Sequence, residues 1–119
     1  MAESTPDLQI RQNDDVTIIT VAERKILDEL TITRLGDQLQ ALVAKRSEPK
    51  FILEFSNVSH MSSSALGMLI TLLKRVREKN GQLRLCNIQP AIREVFEITR
   101  LTEVFNICDN VEDAMASIN

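Results

Sequence analysis

The chain has 119 residues, 44% of them hydrophobic and 26% charged, with a formal net charge of -3. A chain of that length and balance forms one globular domain with a real core, and it is not a disordered segment. No strongly basic face is implied and Trp and Tyr are absent, which argues against direct nucleic-acid binding through phosphate contacts or base stacking.

The start, Met1-Ala2-Glu3-Ser4-Thr5-Pro6-Asp7, is polar and acidic and lacks the apolar core of a signal peptide. Residues 1–7 are expected to be a flexible tail and residues 8–119 the folded domain. The apolar stretches are too short to cross a bilayer, so no membrane insertion and a cytoplasmic location are expected. Leu8 to Arg11 alternates as an edge strand does, Asn13-Asp14-Asp15 signals a turn, and Val16 to Val21 is almost entirely β-branched. These two strands are expected to form an antiparallel hairpin. A loop from Ala22 to about Leu30 precedes helical spacing at Ile32, Leu35, Leu39, Leu42 and Val43, with Asp28 or Thr31 as the cap. Pro49 ends this helix, and Phe51 to Phe55 reads as a central strand.

The next helix is expected from about Ser63 to Lys79, with Leu66, Leu69, Ile70, Leu73 and Val76 inward. Asn80-Gly81 stops it, with Gly81 suited to the left-handed cap position. Gln82 to Cys86 is a further strand. Pro90 opens a helix whose apolar face is Ile92, Val95, Phe96 and Ile98. A short strand within Thr102 to Ile107 and a final helix behind Asp109-Asn110 complete the chain. The order β-β-α-β-α-β-α-β-α implies an α/β domain with a mixed, mostly parallel sheet and the first strand antiparallel at one edge.

Met61-Ser62-Ser63-Ser64-Ala65-Leu66-Gly67 is the most informative segment. It lies between a strand and a helix, where free N–H groups and the positive helix end favour an anion. A serine here either caps the helix or accepts a phosphoryl group. Phosphorylation would add about 1.5 to 2 negative charges without threatening the fold, so its effect would fall on a docked partner. Ala65, Met68 and Leu72 form a second apolar edge beside the turn. They are read either as part of a wide buried face or as a partner-binding surface. Glu23, with Arg24, Lys25 and Asp28 nearby, is either a solvated loop or the other wall of that surface.

Enzymatic signals are weak. His60 precedes the serines, but there is no Gly-x-Ser-x-Gly elbow and no third group to orient the ring. The three glycines are far apart, so no phosphate-cradling loop exists. Cys86 and Cys108 show no Cys-x-x-Cys spacing, so neither a zinc site nor a disulfide framework is expected, and Cys86 is expected to pack rather than react. The expectation is a non-enzyme without catalytic residues, metal or cofactor.

The stretch from Phe51 to Ile107 resembles the STAS domain family, that of the bacterial anti-sigma factor antagonists. The family pattern, close to Met-Asp-Ser-Ser/Thr-Gly-Leu-Gly, is matched by Met61-Ser62-Ser63-Ser64-Ala65-Leu66-Gly67. Leu85 to Phe96 looks like the family's strand, loop and proline-started helix. Leu101 to Phe105 resembles its return into the last strand. Ala22-Glu23 stands where the family often has Gly-Glu, and Asp28 precedes Leu35 as the family aspartate precedes its helix leucine.

The resemblance implies a STAS-like single domain and a partner that is both anti-sigma factor and serine kinase. Binding would release a sigma factor, and phosphorylation at Ser63 would end the binding. Ser64 and Ser62 are lesser candidates. Glu23, Asp28, Ser62, Ser63, Ser64, Ala65, Met68 and Leu72 would form the docking surface, and a homo-oligomer is left open. Ser62 replaces the family aspartate, Ala65 replaces the following glycine, and the loop between Glu23 and Asp28 is longer. These departures support an alternative: a STAS scaffold subunit of a stress-sensing or lipid-transport complex that is not phosphorylated.

Overall fold

The computed structural model describes residues 5–118. The chain runs through β1 (Leu8–Asn13), β2 (Val16–Val21), β3 (Lys25–Ile26), α1 (Glu29–Ala44), β4 (Lys50–Glu54), β5 (His60–Met61) and α2 (Ser63–Glu78). It continues through β6 (Gln82–Cys86), α3 (Pro90–Ile98), a 3-10 turn (Leu101–Glu103), β7 (Asn106–Cys108) and α4 (Val111–Ser117). The main sheet has the order β1-β2-β4-β6-β7. β1 is antiparallel to β2 at the edge, and every other neighbouring pair is parallel. The expected α/β architecture is therefore present.

Period-two alternation divides the sheet into two faces. Ile19, Val21, Phe51, Leu53, Leu83 and Leu85 share one core with the buried sides of α1, α2 and α3. Val16, Ile18, Ile52 and Cys86 point the other way and are covered by Ala114, Val111 and Met115 of α4.

Local details differ from the sequence reading. The loop expected from Ala22 to Leu30 contains β3, which pairs in parallel with β5 as a separate two-stranded ladder. The segment expected as a strand from Thr102 turns first as the 3-10 element, and only Asn106–Cys108 joins the sheet. Ile98 is 75% exposed, not part of the packing face of α3. At 100° per residue it lies about 200° around the helix from Phe96, whose ring meets Phe105 edge-on at 5.7 Å. After α2 the left-handed residue is Asn80, φ 59, not Gly81. Gly81 is needed for another reason: a Cβ there would collide with the Pro49 carbonyl oxygen.

Two groups of polar contacts fasten α1. The Lys79 ammonium donates to the carbonyls of Val43, Ala44 and Arg46 at 2.9, 3.2 and 2.7 Å, closing the C-terminal end of the helix. Thr5 and Asp7, expected in the tail, are tied to its side. The Thr5 hydroxyl donates to Gln38 at 2.7 Å, and Asp7 accepts from Arg34 Nε at 2.7 Å and Gln38 at 3.0 Å. The Arg34 guanidinium, through this hydrogen bond above all, holds the Asp7 carboxyl below its ordinary value. Residues 1–4 of the expected tail lie outside the described residues.

Candidate functional site

The site is built where α2 begins. β5 lies alongside β3 with Lys25 opposite His60 and Ile26 opposite Met61. The Ser62 N–H then donates to the Ile26 carbonyl at 3.1 Å, which pins the turn. Ser62 is extended, and its hydroxyl accepts from the Ala65 N–H at 3.2 Å, so Ser62 is the N-cap of α2. Ser63 and Ser64 are the first two helical residues, and both are exposed. Among the described residues no side-chain hydrogen bond occupies either hydroxyl. The first turn of α2 holds no acidic residue, while Arg75 and Arg77 stand in the last turn. The positive end of the helix therefore meets solvent uncompensated, beside two unengaged hydroxyls.

The β3–β5 ladder brings a second helix start to this place. Asp28 caps α1, accepting from the Thr31 N–H at 3.4 Å. A hydrogen bond from the Thr31 side chain is the main reason its carboxyl is held below the ordinary value, with the Thr31 N–H and the Arg34 charge adding. Glu23 is half-buried before β3, its carboxylate 3.7 Å from the Arg34 guanidinium. His60 is exposed, with Nδ1 2.9 Å from the neighbouring Ser59 hydroxyl, which itself donates to the Arg24 carbonyl.

The STAS domain pattern matches residues 7–114 of the chain. This chain belongs to the STAS domain family. The candidate anti-sigma factor antagonist BtrV of Bordetella bronchiseptica is 31% identical over 85 residues, covering 69% of this chain and 73% of that one. The anti-sigma F factor antagonist of Paenibacillus polymyxa is 23% identical over 112 residues, covering 94% and 96%. An anti-sigma-factor antagonist (STAS) domain protein from Planctomyces limnophilus shares the fold with a TM-score of 0.83 at 23% identity, covering 93% and 97%.

The two STAS departures acquire a physical meaning at the turn. Ser62 replaces an aspartate, but Ser and Asp are comparable N-caps. The helix start is thus preserved, while a carboxylate beside Ser63 is removed. Ala65 replaces a glycine, and its backbone is not left-handed, so no glycine is required there.

The apolar edge needs correction. Ala65 and Leu72 are both 0% exposed, so neither belongs to a docking surface. Met68 is half-buried and packs against the core, with its Cγ 3.1 Å from where a Cβ on Gly36 of α1 would lie. α2 packs against both the sheet and α1, which widens its buried stripe beyond the Leu66–Leu69–Leu73–Val76 set.

The apolar residues that do face solvent here are on the other helix start. Leu27 is 50% and Leu30 72% exposed, and Leu27 directly follows Ile26, to which Ser62 is bonded. One sequence signal existed for them: Leu30 falls off the Ile32–Leu35–Leu39 spacing.

Proposed function

We propose that this STAS domain is an anti-sigma factor antagonist switched by phosphorylation at Ser63. The unmodified protein binds an anti-sigma factor that is also a serine kinase, and this frees a sigma factor. Transfer of a phosphoryl group to the Ser63 hydroxyl ends the binding. The protein acts in the cytoplasm and is itself no enzyme. Among the described residues no helix is long and apolar enough to cross a membrane.

One observation carries the reading: Ser62 does the capping, so the exposed Ser63 hydroxyl is uncommitted at a helix start with no acid of its own. A dianion there is stabilised by the helix and leaves the core intact. Its charge falls on a surface bordered by Glu23, Asp28, Ser64, Leu27 and Leu30, where a docked partner meets it.

The test is incubation with the kinase recovered by pull-down, plus ATP. A phosphate mass shift is expected in the wild type and in Ser64→Ala, and none in Ser63→Ala. A shift that persists in Ser63→Ala overturns the residue assignment.

A second reading rests on Ser62 standing where the family has a carboxylate. Without that group the hydroxyl is not presented to a kinase, and the domain serves as a constitutive scaffold subunit. Absence of any phosphate transfer, with a transporter ATPase or a large homologous assembly recovered instead of a kinase, selects this reading.

A further inference from the structure

The α4 side of the sheet carries a row of groups unrelated to the serine turn. Strand register places Thr20, Glu54, Cys86 and Cys108 side by side across β2, β4, β6 and β7. Cys86 is fully buried, and Cys108 is half-buried against the same small core. These are the two cysteines of the chain. Paired residues on neighbouring strands lie about 4.8 Å apart with side chains on one face. That spacing falls within the roughly 4.4–6.8 Å between Cα atoms that a disulfide spans. We propose that Cys86 and Cys108 close into a reversible intramolecular disulfide when the protein meets a hydroperoxide. This inference is independent of the role assigned to Ser63.

The surroundings give the two thiols different parts. Burial pushes the Cys86 thiol up to about 12, with the Glu54 and Cys108 charges adding, so it is a poor first target. Cys108 is the more accessible. Its sulfur lies 3.9 Å from the Ser117 hydroxyl, which accepts from Arg84 Nε at 2.8 Å. Glu54 is a buried carboxylate fixed by Asn87 Nδ2 at 2.6 Å and the Ser56 hydroxyl at 2.9 Å.

In the first step the Cys108 thiolate attacks the terminal peroxide oxygen. The O–O bond breaks, leaving a sulfenic acid on Cys108, and the departing oxygen takes from water a proton equivalent to the one the thiol gave up, leaving as an alcohol, or as water from hydrogen peroxide. In the second, the Cys86 sulfur attacks the sulfenic sulfur. The S–S bond forms as the S–O bond breaks, and the departing hydroxyl takes the Cys86 proton and leaves as water. Two thiols lose two electrons and two protons, and the hydroperoxide is reduced. The bond ties the three-residue edge strand β7 to β6 and draws in α4, which packs over both. A thiol reductant reverses it.

The experiment uses the reduced full chain and stoichiometric hydrogen peroxide. The expected product is a monomer on a non-reducing gel, lighter by two hydrogens, with no titratable thiol and full recovery in dithiothreitol. Cys86→Ser should instead yield a sulfenic acid at Cys108 that dimedone traps. Sulfinic or sulfonic acid at Cys108 with Cys86 free, or covalent dimers in place of the lighter monomer, overturns the proposal.

Discussion

Two helices begin side by side, joined through the β3–β5 ladder, and they begin differently. α1 is capped by the carboxylate of Asp28, carries Glu29 in its first turn, and exposes Leu27 and Leu30 around it. α2 is capped by a hydroxyl, has no acid in its first turn, and buries Ala65 and Leu66. At α1 the positive helix end is already neutralised by its own residues. At α2 it is left open, and the side chains around it are small hydroxyls. The contrast divides the labour of a docking surface. One start offers apolar area, and the other offers a place where charge can be added.

The largest effect should come from the buried side of this contrast. Leu66→Ala, at the α2 start, should cost about 2–5 kcal/mol by cavity formation. Leu30→Ala, at the α1 start, should stay within about 0.5 kcal/mol. Urea unfolding of the two variants checks both, and equal losses would erase the distinction. Next come the caps. Ser62→Ala should cost about 1 kcal/mol, and the cost should not vary between pH 3 and 7, because a hydroxyl does not titrate there.

Asp28→Ala should behave otherwise. The folded carboxyl lies below its ordinary value of 3.8. Its contribution is therefore complete above that value and vanishes as pH falls through the lower folded value. Wild type and Asp28→Ala should differ at neutral pH and converge in acid, as read by thermal melts along a pH series. The smallest effect concerns charge at the open start. Ser63→Asp should raise stability by about 0.3–1 kcal/mol at low salt, and Ser63→Lys should lower it, both fading at high salt. Ser63→Asp should nonetheless weaken binding to the partner in a pull-down. Unfolding by Ser63→Asp would mean that the hydroxyl is not where the structure puts it.

The main elements were legible because their periods are strong. Val16 to Val21 and Phe51 to Phe55 could hardly be anything but strands, and the leucines of α1 and α2 repeat at three and four. The serine turn was legible too, but not which serine caps. Three identical hydroxyls in a row differ only in backbone geometry, and the extended conformation of Ser62 decides the matter.

The two-residue strands β3 and β5 were invisible because two residues carry no period, yet they join the segments that lead into α1 and α2. Ala65 and Leu72 were ambiguous for a physical reason. A helix that packs on a sheet alone has a narrow stripe, whereas one wedged against a second helix has a wide one. The sequence of α2 does not say which neighbour it will have. The pairing of Glu54, Cys86 and Cys108 depends on strand register over long separations, which local pattern does not encode.

Lys79 fastens the far end of α1 through three carbonyls, just as the small ladder fastens the near end. The two helices are thus tied to each other at both ends, the near one being where charge would arrive at Ser63. A message written there stays where it is written. Whatever reads it must touch it, and mutations at the far tie should loosen the molecule without scrambling the message.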